Sequence, residues 1–259
     1  APQIVYYVSA YIDLMNEKAD LSRGFNVTVP TGNFGNILAA YYAKKMGVPI
    51  NKLICASNSN NVLTDFINSG IYDRNRKFFT TCSPSMVILI SSNLERLLFD
   101  LCGNDDEYVA SLQKSLAESG KYEVCDAVRE KLDRLFFADF CTDKETFETI
   151  SSVFKEYGYL IDTHTAVAVN VYKKYLNKTN DNIPAVIAST ASPYKFTRSV
   201  LSALGEKAKE NEFENIELLK AVSNTQIPSP IENLKNAEVR FKEVYNKDEL
   251  DKAVYDSLM

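Results

Sequence analysis

The sequence predicts an α/β protein: a parallel sheet flanked by helices, with a largely helical middle region. Two observations carry this. The strand-like segments "FNVTV" (25–29) and "KLICAS" (52–57) each run into a helical pattern, and strand, helix, strand, helix with short connections requires parallel pairing through right-handed crossovers. In addition, a chain of 259 residues that is 46% hydrophobic and 24% charged can bury the sizeable core such a sheet needs.

The elements follow in order. Ile4, Val5, Val8, Tyr11, Ile12 and Met15 recur at helical spacing. Pro2 falls in the first turn and Gly24 marks the end. The chain opens on Ala1 rather than Met, so it reads as a piece of a longer protein. "FNVTV" is short, β-branched and bounded by turn residues, hence a strand. After the stretch "PTGNFGN", a helix over 37–46 is stopped by Gly47 and Pro49. "KLICAS" is a second buried strand. Asn58 and Asn60 are placed to cap the next helix, whose face carries Val62, Leu63, Phe66 and Ile67 and which Gly70 ends.

Residues 84–158 read as a helical, insert-like region. Helices are expected from a cap at Asn93 to a stop at Gly103, then over 105–120, 124–137 and 142–157, with Thr142 and Glu145 forming a capping box. Another helix covers 165–176. "IPAVIAS" (183–189) is a further buried strand that runs into Thr190-Ala191-Ser192-Pro193 and a helix closed by Gly205. The tail holds a Pro228-Ser229-Pro230 turn, a short strand over 238–244 and a last helix capped near Asn246.

Composition narrows the function. A net charge of −5, a pI near 5.2 and the lack of a basic block argue against a nucleic-acid partner. No apolar run approaches the ~20 residues of a membrane span. Five cysteines, an odd number without CxxC spacing, read as reduced thiols of a cytoplasmic protein. One histidine and no paired cysteines leave no metal site in prospect.

The glycine-punctuated loop is the chemical feature. A strand turning sharply into a helix leaves backbone N–H groups unpaired at the positive end of the helix dipole. Glycines permit left-handed torsions and close approach, so Gly32, Asn33, Phe34, Gly35 and Asn36 can curl their amides round a phosphate. The loop has no lysine or arginine, so the backbone would carry the binding. On the loop alone, a tight turn with no ligand is an equal reading. A GxGxxG dinucleotide fingerprint and a GxxxxGK[ST] phosphate loop are both absent.

The stretch "PTGNFGNILAAYYAKKMGVP" resembles the phosphate loop of the threonine synthase family, pyridoxal-phosphate enzymes of the tryptophan-synthase-β fold (fold type II). "NKLICASNSNNVLTDFINSGIY", "SPSM…SSNLERLLFDLCG", "DTHTAVA" and "STASPYKF" match the same family in order. The resemblance implies that residues 1–259 are the C-terminal catalytic part of such an enzyme. It implies pyridoxal 5'-phosphate as cofactor, with its phosphate on Gly32–Asn36, and O-phosphohomoserine as the small-molecule substrate, converted with water to threonine and phosphate. Thr190 matches the family's threonine whose hydroxyl faces the pyridine nitrogen; its other reading is a turn that caps the following helix. His164, the sole histidine, is expected to pack or cap near the cofactor, with a direct proton-transfer role as the alternative. Lys195 and Arg198 lie just past Thr190, where an anionic substrate would come, or else on a solvated helix face.

No catalytic residue is assigned within the chain. The family's Schiff-base lysine stands in a Phe-Lys-Asp context that is expected upstream of Ala1. Phe154-Lys155-Glu156 and Phe241-Lys242-Glu243 lack its surroundings and read as surface lysines. Val87 occupies a position where relatives usually carry Asp. If that carboxylate served a buried partner, its loss would cost about 1–3 kcal/mol. The fragment alone is expected to be inactive. The alternatives to the enzyme are a non-catalytic module that uses the cradle for a phosphate ligand and a related dehydratase acting on serine or threonine. The oligomeric state is not legible.

Overall fold

The computed structural model describes residues 2–240 and 242–258. It divides into two compact units, Ala1–Thr225 and Gln226–Met259. In chain order the first contains α1 (Ile4–Asn16), β1 (Phe25–Pro30), α2 (Gly35–Lys45), β2 (Ile50–Ser57), α3 (Val62–Ser69), β3 (Ile71–Asp73), α4 (Leu94–Leu101), α5 (Asp106–Ser119), β4 (Lys121–Glu123), α6 (Asp126–Leu135), β5 (Phe136–Phe140), α7 (Asp143–Tyr157), α8 (Thr163–Thr179), β6 (Ala185–Ile187), α9 (Thr197–Ala203) and α10 (Glu212–Ser223). Short 3-10 turns occupy Pro84–Met86 and Pro193–Lys195.

The main sheet has the order β5-β2-β1-β6 and every pairing is parallel. All of β1 is buried because helices cover both of its faces. Phe25, Val27 and Val29 pack into the principal core with Ile37, Phe66 and Leu98. On the opposite face, Ile54 and Ala56 of β2 meet Val167 and Val171 of α8. Parallel pairing of β1 with β6 brings the segments that follow both strands to one end of the sheet, where open α/β sheets bind ligands.

The structure departs from the sequence expectations where signals were short or doubled. The helix expected over 124–137 ends at Leu135, and Phe136–Phe140 becomes strand β5 beside β2. No glycine or proline separates the two, so nothing in the chain marks the switch. The antiparallel pair β3–β4 has three residues per strand, too few to show a period. The strand expected over 183–189 is only Ala185–Ile187; it is half-buried and forms the sheet edge. On α1 the buried position is Tyr7, with Ile4, Tyr11 and Leu14 packed beside it, whereas Val5, Ile12 and Met15 are exposed. Two apolar stripes overlap on that helix: Ile4 and Tyr11 of the expected set pack inward as read, whereas Val5, Ile12 and Met15 do not and Tyr7 takes the buried place. Asn58 and Asn60 are not helix caps. Asn58 donates to Thr81 Oγ1 (2.9 Å) and Ser83 Oγ (3.0 Å), and Asn60 exchanges hydrogen bonds with the Phe79 backbone.

The Thr142–Glu145 capping box is present as expected. Glu145 also accepts from Lys174 Nζ at 2.8 Å. Burial pushes the Glu145 carboxyl up, but Lys174 and the Thr142 N–H and hydroxyl outweigh it and hold the group below its ordinary value. A carboxylate depressed in the folded state stabilises above its unfolded pKa, and that contribution is lost as pH falls through the folded value. Resistance to urea should therefore drop as pH falls through and below the ordinary carboxylate range, and Glu145→Gln should remove part of the drop; identical pH profiles would contradict this.

The second unit holds α11 (Ser229–Leu234), a 3-10 turn at Lys247–Glu249 and α12 (Leu250–Leu258). The expected cap at Asn246 is present as a capping box with Glu249. No strand forms over 238–240 or 242–244, and Phe241 lies outside the described residues.

Candidate functional site

At the end of β1, Thr31 N–H still donates to Ala56 O (2.8 Å), and α2 then begins at Gly35. The sequence assigned left-handed torsions here to glycine. Instead Phe34 takes them, with φ of +64°, and neither Gly32 nor Gly35 has positive φ. A left-handed L-residue costs roughly 1–2 kcal/mol. Burial of the Phe34 ring, 1% exposed and packed at 5.9 Å from the Phe136 ring, offsets it. The glycines serve close approach. A Cβ on Gly32 would lie 2.9 Å from Ile88 Cδ1 and 3.0 Å from Ser85 O, so the Pro84–Met86 turn forms a wall that admits no side chain. Gly35 is looser, its nearest neighbour being Asn93 Nδ2 at 3.4 Å.

Among the described residues, the backbone N–H groups of Gly32, Asn33, Phe34, Gly35 and Asn36 have no acceptor; the helical ladder starts with Leu38 N–H on Phe34 O (3.0 Å). The carbonyls of the same loop are occupied. Ser91 Oγ donates to Gly32 O at 3.2 Å, and the Asn93 backbone N–H and Nδ2 donate to Asn33 O at 3.2 and 2.8 Å. Asn93 was expected to cap α4; it makes no side-chain cap and ties the loop instead. Tyr72 of β3 sets this tie, its hydroxyl accepting from Ser91 N–H (2.9 Å) and donating to Leu89 O (3.0 Å). Its ring stacks on Tyr122 of β4 at 5.2 Å. The small sheet thus buttresses the loop: acceptors are paired away and donors are left over.

Gly32–Asn36 line a cavity of about 290 Å³ together with Ser85, His164 and Thr190. A second cavity of about 400 Å³ shares Asn36 and Thr190 and adds Tyr7 of α1. The sequence-predicted loop and Thr190 therefore converge. Thr190 is exposed just past β6, and the cap of the following turn is Ser192, whose Oγ accepts from Tyr194 N–H (3.3 Å).

His164 Nε2 lies 3.1 Å from Ser85 N, an N–H that can only donate, so Nε2 is the acceptor. The ring proton then sits on Nδ1, 3.1 Å from Asp162 Oδ1. Asp162 also caps α8 through His164 N–H (2.8 Å) and Thr165 N–H (3.4 Å). With both nitrogens engaged and the ring buried against Phe196 (4.7 Å), His164 fixes the turn that walls Gly32.

Other sequence candidates lie elsewhere. Arg198 binds the Glu212 carboxylate and the Glu210 carbonyl. Lys195 is exposed, its Nζ 6.0 Å from the Phe196 ring centroid. Neither lines either cavity. Lys155 is exposed on α7 and Lys242 is exposed in the second unit. Val87 is half-buried, and the only buried side-chain polar atoms without partners among the described residues are Thr28 Oγ1 and Asn170 Oδ1, so valine strands no partner in its own segment. Among the described residues no His, Cys, Asp and Glu cluster could hold a metal, and no helix is long and apolar enough to cross a membrane.

Comparison with known proteins shows what the chain is similar to. The family model described as "Threonine synthase, C-terminal" matches residues 165–254. The chain is similar to threonine synthase-like 1 of Mus musculus, 45% identical over 235 residues that cover 90% of this chain and 31% of that protein. It superposes on the crystal structure of threonine synthase from yeast with a TM-score of 0.84 at 34% identity, covering 99% of this chain and 51% of that one. The PLP-bound threonine synthase from Brucella melitensis gives a TM-score of 0.74 at 38% identity, covering 87% of this chain and 46% of that one. The chain thus spans about half or less of the length of the proteins it matches.

Proposed function

We propose, from the premise that the chain belongs to the threonine synthase family and corresponds to its C-terminal part, that the complete protein is a pyridoxal-phosphate-dependent threonine synthase, converting O-phosphohomoserine and water to threonine and phosphate. One observation carries the cofactor assignment: five consecutive amides, Gly32 to Asn36, lack acceptors while their loop's carbonyls are paired. A phosphate dianion has the terminal oxygens such a row of donors requires, and the positive end of α2 favours its charge. The absence of room for a Cβ at Gly32 keeps the loop packed against the Pro84–Met86 turn, which holds its amides in place.

Bound there, pyridoxal phosphate would supply the electron sink for carbanion charge on the substrate. The chain's own residues bind and orient it. The Gly32–Asn36 amides would hold the phosphate, and the neutral Thr190 hydroxyl would be available to the ring nitrogen without forcing its protonation. His164 and Asp162 hold the Pro84–Met86 turn against the loop. No lysine among the described residues lines either cavity, which supports the reading that the lysine expected to hold the coenzyme lies outside this chain.

The test uses full-length protein with added pyridoxal phosphate and O-phosphohomoserine. Equimolar threonine and phosphate, released only with the coenzyme present, is the expected outcome. Deamination of serine or threonine without phosphate release would indicate the dehydratase instead. The 45% identity to a threonine synthase-like protein favours one second reading, a phosphate-ligand module without turnover; coenzyme binding with no product of either kind would establish that.

A further inference from the structure

Asn36 ends the row of free amides and also presents a side chain to both cavities. Its amide group has a donor end and an acceptor end, and which end meets a ligand depends on what holds the other. Tyr7 of α1 supplies that hold, its hydroxyl donating to Asn36 Oδ1. Among the described residues Asn36 Nδ2 has no partner.

The Tyr7 ring is itself fixed. It is 2% exposed and belongs to the principal core. One turn further along α1, Tyr11 stacks on Phe25 of β1 with ring centroids 6.2 Å apart, which locks the face of α1 that carries both tyrosines. Burial raises the Tyr7 hydroxyl well above its ordinary value, so it stays a neutral donor. A carboxamide whose oxygen is held by a buried phenol turns its NH₂ away from that phenol, toward the open space that Asn36 lines.

We propose that Tyr7 is a positioning residue for phosphate recognition: by holding Asn36 Oδ1 it sets Asn36 Nδ2 as a side-chain donor to the same anion that the Gly32–Asn36 amides bind. This rests on the reading of that loop as a phosphate cradle. Tyr7 acts through Asn36 and does not itself touch the anion. Without the phenol, the amide can rotate and present its oxygen to a dianion, which repels it.

The experiment measures dissociation constants of full-length protein for pyridoxal phosphate and for pyridoxal, which lacks the phosphate. One neutral-to-charged hydrogen bond is worth about tenfold in affinity. Tyr7→Phe should weaken pyridoxal phosphate binding by about tenfold and leave pyridoxal within about twofold. The same substitution made on top of Asn36→Ala should have no further effect. An equal loss for both ligands, a Tyr7→Phe effect that persists in the Asn36→Ala protein, or no effect of Tyr7→Phe while Gly35→Asp abolishes binding would overturn the role of Tyr7. If Tyr7→Phe and Gly35→Asp both leave binding unchanged, the cradle reading itself fails with it.

Discussion

Gly35→Asp in the full-length protein is expected to weaken pyridoxal phosphate binding by at least about a hundredfold, and Gly35→Ala to leave it within about threefold. The contrast separates charge from bulk. A Cβ at Gly35 meets Asn93 Nδ2 at 3.4 Å, an ordinary contact, so alanine fits. Aspartate starts from the same Cβ and adds a carboxylate at the mouth of α2, beside the free amides. Two unit charges about 4 Å apart repel by about 4 kcal/mol at an effective dielectric near 20, and a hundredfold loss requires only about 2.7 kcal/mol of that. The position is also the positive end of the helix, so an aspartate there stabilises the unliganded fold. Loss of affinity would thus arise without unfolding. Binding of pyridoxal, measured alongside, should change much less; equal loss for both ligands would detach the loop from the phosphate.

The largest effect on stability is expected at Phe34. Truncation to alanine removes a ring that is 1% exposed and packed on Phe136, which should cost about 3–5 kcal/mol. The second part of the prediction is sharper. At an ordinary helix position alanine is more stabilising than glycine by about 1 kcal/mol. Phe34 sits at φ of +64°, where alanine retains the left-handed penalty and glycine does not. Phe34→Gly should therefore be as stable as Phe34→Ala or more stable, by up to about 1 kcal/mol. Equilibrium denaturation of both variants checks this; alanine clearly ahead of glycine would show that the torsion is not held in solution.

The parallel core was legible because β1 and β2 are short apolar runs between turn residues and are followed by helices with clear stops at Gly47 and Gly70. The capping box at Thr142 was legible because it depends on two residues at fixed spacing, and the cap at Asn246 because Asn is a preferred capping residue. Strand β5 was hidden because Phe136 continues the apolar face of α6 and no turn residue intervenes. β3 and β4 were hidden because pairing between segments so far apart in sequence leaves no local trace. At the site, the loop and Thr190 could be named from motif residues. The division of labour inside the loop could not. Glycine was assigned the left-handed torsion from its general freedom, whereas Phe34 takes it and burial of its ring holds it there. Ser91, Asn93 and Tyr72 tie the loop's carbonyls through tertiary contacts, and Tyr7 lay on an α1 stripe of which the periodicity showed only Ile4 and Tyr11.

The central claim is that backbone amides between β1 and α2 hold a phosphate. A crystal structure of the full-length protein with pyridoxal phosphate tests it directly. The account predicts phosphate oxygens within about 2.7–3.2 Å of several amide nitrogens of Gly32–Asn36, with Asn36 Nδ2 among the donors. A phosphate gripped by side-chain cations elsewhere, with those five amides left to water, would contradict it.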